Sequence, residues 1–157
     1  MACKPMRLLF LLSCVASPEV LGDILRPSCA SGWFYYNSSC YGYFRKLRNW
    51  SDAERECQSY SNRSHLASVL SWREAGIMAK AIAGYQRIQP VWIGLHDPYQ
   101  RQQWQWTDGA AYEYSAWKGR AEDGGGPCVE ASPRHNFLTW NPNVCSQRHH
   151  FLCKYHP

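Results

Sequence analysis

Trp92-Ile93-Gly94-Leu95, with Val91 before it, is an unbroken apolar run of strand length. It reads as a buried strand. A polar segment follows it, Asp97-Pro98-Tyr99-Gln100-Arg101-Gln102, so the chain leaves the core into a loop. Gln103-Trp104-Gln105-Trp106 then alternates polar and aromatic residues, and Asp108-Gly109 supplies a turn.

Upstream of the run the period changes. Ser71-Trp72-Arg73-Glu74 is a capping box, with Ser at the N-cap and Glu at the third helical position. Ala75, Met78, Ala79 and Ile82 continue it at helical spacing, and Gly84 suits the stop. Ser51-Asp52-Ala53-Glu54 is a second capping box, after which Ala53, Cys57 and Tyr60 share one face. Between the two helices His65-Leu66-Ala67-Ser68-Val69 alternates like a short strand. Before them, Trp33–Tyr36 and Cys40–Phe44 are aromatic runs separated by Asn37-Ser38-Ser39, a predicted hairpin that Cys29 and Cys40 are spaced to staple.

Downstream, residues 115–127 hold Gly119 and Gly124-Gly125-Gly126-Pro127 with few apolar residues. Loops of this length without structure of their own are usually functional or disordered. Cys128-Val129-Glu130, Phe137-Leu138-Thr139-Trp140 and Phe151-Leu152-Cys153-Lys154-Tyr155 read as strands. Helices come early and β-structure late, with no linker and no repeat. The expected class is α+β, two helices packed on antiparallel sheets.

The N-terminus has the form of a secretory signal. Lys4 and Arg7 precede an apolar stretch from Leu8 to Val15, and Val20-Leu21-Gly22 offers a cleavage site. Residues 1–22 are read as the leader, 23–28 as a short lead-in and 29–157 as the domain. The apolar stretch is too short to span a bilayer, so no membrane insertion is expected and the product should be secreted and extracellular. Cys3 and Cys14 leave with the leader. Six cysteines remain, an even number for an oxidising compartment, and their spacing alone leaves the pairing open. Without the leader the charge is 15 basic against 11 acidic residues. That balance is compatible with anionic partners, yet no nucleic-acid motif accompanies it.

Four motifs stand in order here: Trp92-Ile93-Gly94-Leu95, Trp104-Gln105-Trp106-Thr107-Asp108-Gly109, Leu138-Thr139-Trp140-Asn141 and Phe151-Leu152-Cys153. With the six cysteines they resemble the C-type lectin-like domain, over roughly Cys29 to Tyr155. Gly32-Trp33-Phe34-Tyr35, Cys40-Tyr41-Gly42-Tyr43-Phe44 and Trp92–Pro98 are similar to its regenerating islet-derived (Reg) family. Arg45–Asp52 and Arg101–Trp106 are especially like one branch of that family. The resemblance implies disulfides Cys29–Cys40, Cys57–Cys153 and Cys128–Cys145. It also implies a secreted gut or pancreatic lectin acting in epithelial defence or growth responses.

Calcium-dependent relatives hold sugar through a calcium ion bound by a Glu-Pro-Asn or Gln-Pro-Asp tripeptide and a Trp-Asn-Asp. Here the loop reads Arg120-Ala121-Glu122-Asp123-Gly124-Gly125-Gly126, and the second element reads Trp140-Asn141-Pro142. Proline removes a charge and an oxygen that a hard cation needs. Asn141 is the one matching ligand, and Glu122 and Asp123 read as solvated charges. No metal and no cofactor are expected. Sugar can instead be held by amide, guanidinium and carboxylate groups with an aromatic face. The resemblance points to Asp97, Pro98, Tyr99, Gln100, Arg101 and Gln102 in one loop and Arg134, His135 and Asn136 in another. It brings both towards the loop-bearing side, as contacts for mannose-containing glycans or microbial polysaccharide.

Arg45, Lys46 and Arg48 form a basic run with the composition of a sulfated-polysaccharide patch, set against the plainer reading of a solvated edge. His135, His149 and His150 read as exposed histidines. Asn37, Asn49 and Asn62 head acceptor sequons. Gly-x-Ser-x-Gly, His-Glu-x-x-His and phosphate-loop motifs are absent, so an enzyme is not expected. The alternative to a lectin is a protein ligand that signals through a cell-surface receptor without binding sugar.

Overall fold

The computed structural model describes residues 28–119 and 124–157. The expected leader, most of the lead-in and the Glu122-Asp123 pair lie outside the described residues. The strands are β1 Phe34–Tyr36, β2 Ser39–Arg48, β3 His65–Leu66, β4 Val91–His96, β5 Gln105–Trp106, β6 Cys128–Ala131, β7 Trp140–Asn143 and β8 His149–Tyr155. The helices are α1, Trp50–Tyr60, and α2, Trp72–Tyr85. The sheet order is β1-β2-β8-β4-β6-β7, with β3 added on β8 and β5 on β4.

β4 is buried on both faces, and its alternation divides the core. Val91, Ile93 and Leu95 join the cluster under α2, with Met78, Ala79, Ile82 and Trp140. Trp92 points the other way, into a cluster with Trp50, Ala53, Cys57 and Phe151 under α1. A strand covered on both sides must be apolar at every position, which is why the run has no polar break. Gly94 falls on the α1 side, where a Cβ would run into the Leu66 carbonyl and meet the Thr107 methyl at 3.0 Å. Its N–H donates to the Ala67 carbonyl at 2.9 Å and its carbonyl accepts from Thr107 N–H at 2.8 Å. Glycine is required there by close backbone approach.

Several expectations need correction. The sheet is mixed, because β4 and β8 run parallel through Val91↔His150 and Trp92↔Phe151. α1 is capped by Asn49, whose Oδ1 accepts the Asp52 N–H at 2.8 Å, so Ser51 lies inside the helix. Gly84 lies within α2, which ends at an extended Gln86. Phe137 has φ 65° and is not in a strand; β7 begins only at Trp140. Of Gln103–Trp106, only Gln105 and Trp106 pair. The Asn37-Ser38 hairpin forms as expected, with φ of 46° and 69° at those two residues. Ser71 caps α2 as expected.

The three disulfides are those the resemblance implies: Cys29–Cys40, Cys57–Cys153 and Cys128–Cys145. Cys57–Cys153 ties α1 to β8 across a separation of 96 residues. Cross-linking a loop that long removes about 4–5 kcal/mol of chain entropy from the unfolded state. A Cys57→Ala/Cys153→Ala variant should therefore melt about 10 °C or more below the parent. Scanning calorimetry checks this, and an unchanged melting temperature would contradict it.

Candidate functional site

The site begins where β4 ends. Asp97 is turned inward and only 5% exposed. Its carboxylate accepts three backbone N–H groups: Arg101 at 3.1 Å, Gln102 at 2.8 Å and Gln103 at 3.3 Å. The loop is thereby folded back on its own first residue. This lets Gln100 and Gln102 hold left-handed φ values of 53° and 61°. Such a conformation costs a non-glycine residue about 1–3 kcal/mol, and charged hydrogen bonds offset it.

The glycine-rich segment forms the opposite wall. Asp97 N–H donates to the Pro127 carbonyl at 2.8 Å. Gly125 and Gly126 lie against the Pro142 and Asn143 carbonyls, where any Cβ would collide. Between the walls is a groove of about 180 Å³, lined by Gln100, Gln102, Trp104, Gly124, Gly126 and Pro127 over Asp97. Trp104 is half-buried and packs on Trp117, with ring centroids 4.9 Å apart. In the sequence it reads as one aromatic of an alternating strand. Its place directly after the polar loop is the signal that could have marked it.

The nine expected sugar contacts thus separate. Gln100 and Gln102 share the groove. Asp97 lies beneath it with its oxygens already engaged, so it holds the loop and leaves little for a ligand. Pro98, Tyr99 and Arg101 are exposed beside it, with the Arg101 guanidinium 5.9 Å from the Tyr99 ring centroid. Arg134, His135 and Asn136 are exposed on the turn Pro133–His135 and its cap, which joins β6 to β7. That turn sits at the Ala131↔Trp140 end of β6, whereas Asp97 sits at the Cys128 end. Four residues of strand, about 13 Å, lie between, so the two loops are separate patches rather than one cleft.

Glu130 and Asn143, the described oxygen-bearing neighbours of Asn141, are already engaged within the chain. Glu130 is opposite Asn141 in the ladder, but its Oε1 accepts from Asn143 Nδ2 at 2.8 Å and lies 2.7 Å from His149 Nε2. Pro142 separates the two asparagines without offering a side-chain oxygen. Among the described residues no group of three His, Cys, Asp or Glu side chains could hold a metal. The histidines also correct an expectation. His149 is buried against Glu130 and Trp92, and His150 is half-buried beside the Tyr43 hydroxyl at 2.8 Å. Burial and the nearby Arg45 hold the His150 imidazole below its ordinary range. Only His135 is exposed as expected.

The basic run is partly neutralised. Lys46 and Arg48 both reach Glu56 of α1, at 2.6 Å and 3.2 Å, and Arg45 donates to the Tyr85 carbonyl. Burial would raise the Glu56 carboxyl, but its bonds from Lys46 and Tyr60 and the Arg48 charge outweigh that and hold it below the usual range. The hydrogen bond to Glu56 in turn raises Lys46. Of the sequon asparagines, Asn37 and Asn62 are exposed, and Asn49 is half-buried by its capping role.

The chain matches the Lectin C-type domain over residues 46–155. It is 65% identical to human regenerating islet-derived protein 4 along the whole of both chains. The crystal structure of human lithostathine superposes with a TM-score of 0.79 at 31% identity, covering 85% of this chain and 94% of that one. A point mutant of the human regenerating gene type IV protein superposes with a TM-score of 0.68 at 63% identity, covering 83% and 100%.

Two outcomes follow from the geometry. Asp97→Asn turns one acceptor into a donor that faces a backbone N–H. Amide exchange at Arg101, Gln102 and Gln103 should then speed up by about tenfold or more, with a stability loss of about 1–3 kcal/mol. Glu56→Gln frees Lys46 and Arg48, so the variant should need more salt to leave a heparin column at neutral pH. In the parent the depressed Glu56 carboxyl stays ionised until the pH falls below the ordinary carboxylate range, so its retention should rise only there.

Proposed function

Because this chain belongs to the C-type lectin family, in its regenerating islet-derived branch, we propose that it is a secreted lectin that binds mannose-type glycans without calcium. The observation that carries this is the groove between the Asp97 loop and Gly124–Pro127. It is pre-formed, polar and backed by an aromatic ring. Amide groups of Gln100 and Gln102 both donate and accept, as vicinal hydroxyls require. The Trp104 ring offers an apolar face for the sugar's C–H side. Tyr99 and Arg101 extend the contact outside the groove. The Arg134–Asn136 turn acts as a second, separate contact for a branched or polymeric ligand.

Calcium independence rests on the donor set. Glu130 is engaged by His149 and Asn143, and Pro142 stands where an oxygen ligand would be needed. With no metal to retain, binding should tolerate mild acid, because no ligand carboxylate has to stay deprotonated for a cation. The groove is shallow, so single sites are weak and useful avidity comes from multivalent ligands such as mannan. Sulfated polysaccharide is a second ligand class, at Arg45 and the two cations shared with Glu56.

The test is retention on immobilised mannan in chelator. The parent should bind, Gln100→Ala/Gln102→Ala and Trp104→Ala should each weaken binding by about tenfold, and Asn136→Ala should reduce avidity more modestly. Calorimetric titration with calcium should give no specific heat. Equal binding by all variants would remove the groove assignment. A parent that fails to bind would leave the receptor-ligand reading in its place.

A further inference from the structure

α2 buries Ala75, Met78, Ala79 and Ile82 and leaves its other face uncovered among the described residues. Trp72 is 69% exposed there, Ile77 37% and the adjacent Leu138 46%. Two grooves run along this face. One, of about 430 Å³, lies between α2 and the β6–β7 turn, over Ala79, Ala83 and Leu138. The other, of about 300 Å³, is bordered by Tyr36, Trp72 and Ile77. They meet at Gly76 and Lys80, which line both. The combined channel follows a helix of 14 residues, about 20 Å long.

Two further features bear on what fills it. Gly76 is inside the helix, has no positive φ, and a Cβ placed on it meets nothing within 4 Å. An interior helix glycine costs roughly 1 kcal/mol against alanine, and among the described residues no packing requires it. It keeps the channel open. The charges are also one-sided. Arg73, Lys80 and Arg87 line the grooves with no carboxylate among the lining residues. The only acid of α2, Glu74, faces inward to Lys154. An exposed Trp, a half-buried Tyr and Arg side chains around a concave apolar floor match the composition of protein–protein hot spots. A bilayer would need protruding apolar side chains rather than a channel, and a sulfated glycan would leave the apolar floor unused.

We propose that the α2 face is a docking groove for an amphipathic helix of a partner protein, whose apolar ridge fills the channel and whose Asp and Glu residues flank it. Apolar side chains at i, i+3, i+4 and i+7 lie along such a groove. The partner's carboxylates meet Arg73, Lys80 and Arg87. The site is separate from the Gln100–Trp104 groove and does not depend on sugar binding, although Asn136 borders it.

The experiment uses a 20-residue helical peptide with Leu at those positions and Glu elsewhere, an analogue with Lys for every Glu, and phosphatidylserine vesicles, each titrated into the folded protein. The Glu peptide should saturate, with NMR shifts centred on Trp72, Ile77 and Lys80. Gly76→Leu should weaken it by more than about tenfold without lowering the melting temperature, since leucine is the better helix former. Lys80→Glu/Arg87→Glu should weaken it by about tenfold, and the Lys peptide should not bind. The proposal is overturned if Gly76→Leu binds the Glu peptide as the parent does, if peptides of both charges bind alike, if the shifts map elsewhere, or if the vesicles bind this face and the peptide does not.

Discussion

The buried ion pair between Glu74 and Lys154 is the contact that organises the molecule. Their atoms are 2.7 Å apart, with side chains 9% and 4% exposed. Neither charge can be left alone at that depth without a cost of several kcal/mol, so each determines where the other's element must lie. Lys154 also donates to the Ser68 carbonyl and hydroxyl, each at 3.1 Å, and Tyr41 donates to Glu74. Burial, and then Glu74, push the Tyr41 phenol far above its ordinary range, so it stays a donor. One carboxylate thus joins α2, β2 and β8. Because β8 pairs with β2, β3 and β4, the whole sheet is referred to it.

The orientation of α2 follows. With Glu74 drawn inward at the first turn, Ala75, Met78 and Ile82 must enter the core, and Trp72, Arg73, Ile77 and Lys80 are left outside. Glu54 plays the matching part for α1. Its carboxylate accepts from Leu66 N–H, Gln58 and Thr107, and meets His65. The two helices are therefore held by buried acids as well as by apolar packing. Both acids sit in the first turn or just beyond it, where the local sequence reads as capping alone.

The proposed sugar groove uses the same device on a smaller scale. Asp97 is a third inward-turned carboxylate, spent on three backbone N–H groups. It turns an exposed loop into a rigid one and sets two glutamines in a conformation they rarely adopt. Rigid placement matters here, because a polar groove facing water gains little from each contact and cannot also bear the cost of ordering a loop. Glu130 is spent in turn on His149 and Asn143. That carboxylate helps hold β6, β7 and β8 together.

The fold was largely legible from local pattern. The Trp92–Leu95 run, the Ser71 cap, the hairpin turn and the cysteine set each reflect a constraint acting within a few residues or a motif retained whole. The family resemblance supplied the disulfide pairing that spacing left open. The polar loop after β4 was also visible, as a break in an apolar run. What the chain did not disclose was how its polar side chains are used. Asp97 looks like a ligand and is a brace, His149 looks exposed and is buried, and Lys46 and Arg48 look free and share Glu56. Trp104 and the open face of α2 were hidden for the same reason. A side chain's role depends on which groups satisfy it, and those groups lie in distant segments that meet only when the sheet is assembled.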